Sequence, residues 1–394
     1  MRRVKFQHRD RRHGMTIIEL LVVLGIFAIL LGIAATAVKN GTKGKKQREA
    51  ARQVNSFIAA AQARAVQLNR PVGIEIRRNA NDTNDDGVIT PGTDSGVSNA
   101  GLIMYQIETP PPYAGDNLDS TVNVSVAAGT VTLTDTALNF GAASVLMDVG
   151  DSVEVRLNYR GPRYNATVTS LSPLTLTFGV PAYDNTVFAG AVPIQIYFRP
   201  VRSSVTPLQL PTDMCIDFSC SGMGSTGNEF ANWSVYNALN SAANPIDGDE
   251  AVKFTFSPRG TIHRVYPDGD TEMYPNGNIH LLVGKYEYAV NATEVMGTNG
   301  LNDVTSFPTG TPVSYDAYLT STDTPTNLAD GTAMWVSINY RTGQVTTTRN
   351  KYITDPSSYG FTTSAGSAAR NAEILSITRE FASSVLTIQG EGNE

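Results

Sequence analysis

With 394 residues, the chain is long enough for two modules beyond its N-terminal segment. Only 17% of its residues are charged and the formal net charge is -6. That acidic balance argues against broad electrostatic binding of nucleic acid, which needs clustered Lys and Arg, although local basic patches stay compatible with it.

The first fourteen residues hold Arg2, Arg3, Lys5, Arg9, Arg11 and Arg12 against Asp10, a balance of +5, so the chain without them carries -11. Residues 15–38 follow, apolar except for Glu19, Thr16 and Thr36. As a helix rising about 1.5 Å per residue, this run is roughly 36 Å long, enough for a hydrocarbon core of about 30 Å. A secretory signal would have an apolar region of only about 7 to 15 residues with its small-residue site after it. Here the small residue, Gly14, comes first. A carboxylate within a membrane helix costs about 2.5 to 3.5 kcal/mol and needs a partner. A plain signal anchor gives no reason for Glu19.

The sequence Arg11-Arg12-His13-Gly14-Met15-Thr16-Ile17-Ile18-Glu19 resembles the class III signal of type IV pilins and pseudopilins. The resemblance implies cleavage by a prepilin peptidase between Gly14 and Met15, followed by N-methylation of Met15. It makes Glu19 the filament-assembly residue, paired with the amino terminus of a neighbouring subunit. It also implies a single-pass protein of the bacterial inner membrane with its head outside the cytoplasm. The subunit would then join other pilins through the N-terminal helix on an inner-membrane assembly platform. The filament would stand in the periplasm or at the cell surface. Met15 stands where the family usually has phenylalanine. The charge flanks, six basic residues before the run against Lys39, Lys43, Lys45, Lys46 and Arg48 after it, give little orientation of their own. The second flank suits anionic lipid headgroups.

Asn40-Gly41 and Gly44 interrupt the helical pattern, each glycine costing about 1 kcal/mol, and predict a joint between anchor and head. A second helix is predicted over 47–69, with Val54, Phe57, Ile58, Ala61, Ala65 and Leu68 on one stripe. Pro71 ends it, and Val72, Ile74 and Ile76 alternate as a strand. The run from Ala63 to Val72 resembles the helix exit of H-type minor pseudopilins of type II secretion and of FimT-like minor pilins.

Asp82, Asn84 and Asp86 then place oxygens at alternate positions, Gly87 allows a sharp turn, and Val88 offers a carbonyl, as in a calcium loop. The twelfth position is Thr93, and Asp94 follows one residue late. Two readings stand: a calcium site that rigidifies the head, or a solvated acidic turn. No cofactor is required by either.

Between 120 and 200 lie short alternating runs such as Val153-Val155-Leu157 and Ile194-Ile196-Phe198, separated by turns such as Arg160-Gly161-Pro162. These predict a small β-sandwich or barrel inserted into the head. Cys215 and Cys220 are the two cysteines. Outside the cytoplasm they can oxidise, yet a regular strand would put them on opposite faces, so a disulfide and two free thiols are both open. Strands are predicted near 210–218 and 252–257, a hairpin over 336–345, a long surface loop over 291–331, and an amphipathic helix over 368–386 carrying Ile374, Ile377, Phe381 and Val385.

The predicted class is therefore α+β. Residues 1–14 form the leader and 15–39 a transmembrane helix. Residues 40–109 hold the amphipathic helix and the first part of the head, 110–205 the inserted β-rich domain, and 206–394 the rest of the head with its C-terminal helix. After the leader only His263 and His280 remain as histidines, and no metal cluster, phosphate loop or nucleophile elbow is visible. A structural subunit is expected rather than an enzyme: a minor pilin or pseudopilin at a filament tip or priming complex. The other reading is a binding module displayed by the same machinery, an adhesin or a DNA receptor. FimT-like proteins bind DNA through a basic C-terminal segment, and Arg341, Arg349 and Lys351 could fill that role.

Overall fold

The computed structural model describes residues 17–80, 88–89, 97–127, 129–179, 190–231, 246–247, 251–267, 272–289, 315, 319, 325–353, 359–361, 363 and 368–391. The chain opens with helix α1 (Ile17–Leu68), 52 residues long. Strands β1 (Val72–Ala80), β2 (Val88–Ile89) and β3 (Val97–Glu108) follow. An excursion contains β4 (Val122–Ala127), β5 (Thr130–Thr134), the helical turn α2 (Ala143–Leu146), β6 (Ser152–Leu157), β7 (Arg163–Leu171), β8 (Leu174–Gly179), β9 (Gly190–Val192) and β10 (Ile194–Tyr197). The chain then continues through β11 (Val201–Arg202), β12 (Leu208–Gln209), β13 (Met214–Met223), β14 (Ile246–Asp247), β15 (Ala251–Phe256), β16 (Ile262–Tyr266), β17 (Ile279–Lys285), β18 (Met334–Ile338) and β19 (Val345–Arg349). It closes with α3 (Ala368–Thr378) and α4 (Glu380–Glu391).

α1 runs straight through the predicted joint at Asn40-Gly41 and Gly44. Glycine weakens a helix but keeps both backbone hydrogen-bonding groups, unlike proline, and α1 contains no proline. Elongating a helix that already exists is far easier than starting one. Among the described residues, no helix is long and apolar enough to cross a membrane.

The C-terminal half of α1 lies on a ten-stranded sheet of order β16-β15-β1-β3-β13-β17-β18-β19, with β11 and β12 also pairing with β3. Ala50, Ala51, Val54, Ile58, Ala61 and Ala65 are buried against it. Leu68, expected on this stripe, is exposed because the helix ends there. Alternation decides which face each strand residue takes. On β1, Val72, Ile74 and Ile76 join the core under α1, which leaves Gly73 and Glu75 on the far face. Gly73 is required by close approach: a Cβ there would lie 2.0 Å from the carbonyl oxygen of Phe254.

The excursion builds a second sheet, of order β10-β6-β7-β8-β5-β4-β9, with a separate core that includes Val155, Val168, Leu176 and Ile196. Its two edge strands are consecutive in the chain with only Pro193 between them. One segment thus pairs with β4 at one end and with β6 at the other, closing the sheet into a barrel. Phe140, Ala143 and Met147, in and around α2, complete that core.

The hairpin expected over 336–345 is β18–β19. Residues 325–330, part of the predicted surface loop, lie instead in the interior: Asn327 and Leu328 are buried. Asn327 bonds the Lys285 backbone through both its amide groups and donates to Asp217 Oδ2 at 2.8 Å. A loop rich in polar residues can enter a core when its side chains satisfy the groups already there.

The single C-terminal helix expected over 368–386 is broken at Arg379. The Thr378 carbonyl accepts from the Trp335 indole N–H at 3.1 Å and from the Lys351 amide at 3.2 Å. The buried stripe is Ile374, Leu375, Thr378, Arg379, Ala382 and Leu386, so Phe381 faces outward. Arg379 is fully buried and donates to the carbonyls of Cys220, Gly224 and Gly227 at 2.6, 2.8 and 2.8 Å. Burial pushes its pKa down to about 10, so it stays charged at neutral pH. Replacing it with leucine strands three carbonyls, each hydrogen bond to a charged group contributing roughly 1.5 to 3 kcal/mol. Arg379→Leu is expected to lower unfolding free energy by about 3 kcal/mol or more in urea titration. A loss under about 1 kcal/mol would mean these carbonyls find other donors.

Candidate functional site

At the N-terminal end, Gly14 and Met15 lie outside the described residues, and Glu19 sits near the start of α1. From Ile17 to Ile29 every large apolar side chain that is described is exposed, from Val23 at 50% to Ile17 at 84%. An apolar side chain of this size gains about 1.5 to 3 kcal/mol on full burial. A helix apolar on all sides therefore requires another apolar phase, lipid or neighbouring helices.

Of the calcium-loop residues, Asp82, Asn84, Asp86 and Asp94 lie outside the described residues. Val88 is in β2, paired with Asp247 of β14. Among the described residues no group of three acidic, His or Cys side chains could hold a metal ion.

Cys215 and Cys220 are free thiols, so the disulfide is not formed. They point into different clusters: Cys215 packs with Ala100 and Ala289, Cys220 with Leu282, Trp335 and Ile374. Strand alternation, offset only by the bulge between Asp217 and Gly222, separates them. Burial, followed by the charge of Asp217, raises both thiol pKa values and keeps them protonated.

The three basic residues near the last hairpin do not form a patch. Arg341 is in the turn after β18, where its Nε donates to the Tyr340 hydroxyl at 2.8 Å. Arg349 is at the far end of β19, about 15 Å away at roughly 3.3 Å per residue. Lys351 is paired with Glu380.

His280 is a satisfied core histidine, with Nδ1 2.7 Å from the Ser337 hydroxyl and its ring edge-on to Trp335. His263, on β16, lines a cleft of about 490 Å³ between the barrel and the far face of the head sheet. Arg163, Asn165 and Tyr197 contribute from the barrel, Thr255, Arg264 and Tyr266 from the head. Sequence reading did not find this cleft, because its residues come from five strands and the loops around them, from Arg70 to Glu272. Nor did it find the buried Asp217, which accepts from the Ser219 amide and hydroxyl and from Asn327. Burial raises Asp217 to about 6 in spite of those donors.

Residues 9–35 match the family model described as the prokaryotic N-terminal methylation motif. No curated protein and no solved structure matches the chain. The chain thus carries the class III prepilin signal expected from the residues around Gly14, which supports a type IV pilin-like protein. The motif implies processing by a prepilin peptidase and assembly with other pilins.

Burial first, then the charges of Arg264 and Arg163, lower the pKa of His263 from 6.5 to about 4. Between those values the unfolded chain binds a proton that the folded one refuses, so this group costs stability as pH falls. Asp217 has the opposite sign, its contribution being lost as pH rises through about 6. Comparing His263→Gln with the parent removes that overlap. Their melting temperatures should differ by a constant above pH 6.5, and the parent should lose ground steadily from pH 6.5 to about 4. Parallel curves throughout would contradict the burial of this ring.

Proposed function

We propose that the protein is a minor pilin or pseudopilin subunit and not an enzyme. A prepilin peptidase cuts it between Gly14 and Met15, and Met15 is then methylated. The N-terminal part of α1 holds the subunit in the bacterial inner membrane by a single pass, with the head outside the cytoplasm. On an inner-membrane assembly platform it joins a type IV pilus-like or type II secretion filament.

The observation that carries this reading is the pairing of the methylation motif at residues 9–35 with the exposed apolar stretch of α1. Lipid covers that stretch before assembly, and the helices of neighbouring subunits cover it afterwards. The barrel adds a second body to the head, which is easier to place at a tip or in a priming complex than along a crowded shaft. Glu19 forms an ion pair with the Met15 amino terminus of a neighbour, since a carboxylate among apolar helices needs a positive partner.

Glu19→Val is expected to reduce incorporation into sheared filaments by tenfold or more and to leave the melting temperature of the head unchanged. Normal incorporation of that variant would remove the ion pair from the assembly mechanism.

A further inference from the structure

The cleft between barrel and head has the chemistry of a recognition site. Its volume, about 490 Å³, falls in the range of small-molecule sites, roughly 300 to 1,000 Å³. Its charge is opposite in sign to that of the whole chain. Arg70, Arg163, Arg199 and Arg264 line it against Glu154 and Glu272, on a protein of net charge -6. Two arginines are held in fixed orientations, one on each wall. Arg163 lies 3.8 Å over the Tyr197 ring and donates through Nη1 to Glu154 at 2.8 Å. Arg264 lies 4.1 Å over the Tyr274 ring and is paired with Glu272. Burial and then both arginine charges, against the smaller opposing charge of Glu154, depress the pKa of His263, so both walls act on common ground.

A second, independent observation comes from Thr255. It lines the cleft and is 1% exposed, and its hydroxyl has no hydrogen-bond partner among the described residues. Buried hydroxyls are rarely left in that state, and an exception calls for a reason. In β15, Thr255 stands directly opposite Arg264. The unsatisfied hydroxyl and the fixed arginine thus come from facing positions of adjacent strands.

The form of the walls narrows what fits. An extended peptide docks by adding a strand to a free edge. The outer edge of β16 is bridged at Val265 by Met273, and the barrel is closed. Recognition here must come from side chains. Forked arginines match a carboxylate. The Thr255 hydroxyl and the Asn165 amide suit ring hydroxyls, while Pro111 and Phe198 supply apolar wall.

We propose that this cleft binds a carboxylate-bearing sugar, such as a uronic acid unit of a surface polysaccharide. Arg163 and Arg264 receive the carboxylate, and Thr255 takes a ring hydroxyl. The proposal goes beyond the filament reading and is tested without it, since sugar binding requires neither processing nor assembly.

The experiment is calorimetric titration of the full chain in detergent micelles with glucuronate, using glucose and inorganic phosphate as comparison probes. Saturable glucuronate binding is expected, with glucose at least tenfold weaker. Arg163→Gln should weaken glucuronate binding tenfold or more. Thr255→Val should weaken it at least fivefold while leaving the melting temperature equal or higher, a pairing that a folding defect would not produce. No saturable binding of glucuronate would overturn the proposal. So would phosphate binding as tightly as glucuronate with no response to Thr255→Val, which would make the cleft a general anion site.

Discussion

The structure depends on one packing contact, the seating of the C-terminal half of α1 on the head sheet. Small residues make it close: Ala50, Ala51, Ala61 and Ala65 are all fully buried there. Three polar side chains fix the helix in its groove. Gln47 donates to Asp330, Asn55 to the Thr347 hydroxyl at 2.9 Å, and Gln62 to the carbonyls of Gly260 and Thr342 at 3.0 and 3.1 Å. The turns beneath Gln62 need their glycines. Gly343 has φ +71°, and a Cβ there would meet the Gly260 carbonyl oxygen at 1.8 Å. Because α1 is one continuous helix, fixing its second half also fixes the direction in which the exposed first half leaves the head.

With α1 on one face of the sheet, the opposite face is free for other bodies, and two share it. At the β17–β19 end, α3 and α4 cover Leu282 and Trp335, held by the buried guanidinium of Arg379. At the β15–β16 end the barrel stands over Thr255 and Arg264, leaving the cleft between. Glu75, on this far face of β1, is paired with Arg202 and Lys253. At the β15–β16 end this far face is polar, unlike the apolar face under α1 and the apolar end under α3 and α4, which suits recognition more than stability. The same sheet thus joins the helix that follows the prepilin signal to the walls of the cleft.

Legibility in the sequence followed how local the determining physics is. The α1 stripe and the β18–β19 hairpin were readable, because each depends on spacing within a few residues. The methylation motif was readable for the same reason: Gly14, Met15 and Glu19 lie within six positions. The break at Arg379 was not readable, since it depends on Trp335 and Lys351 drawing the Thr378 carbonyl out of its helix. Arg379 itself, on a stripe that periodicity marks as apolar, gave no sign that three carbonyls of the β13 region awaited it. The polar residues around Asn327 read as surface because composition cannot reveal that Asp217 and Lys285 lie within hydrogen-bonding reach. The cleft was invisible for the most general reason: it exists only once the barrel and the head have both folded.

The most direct measurement is the intact mass and N-terminal sequence of the protein taken from its native membrane. A mature filament subunit would begin at methylated Met15 and lack the fourteen residues before it. A protein still carrying residues 1–14, in cells whose other prepilins are cut, would be a signal-anchored surface protein. Glu19 would then have no neighbouring amino terminus to pair with, and the filament role would fall.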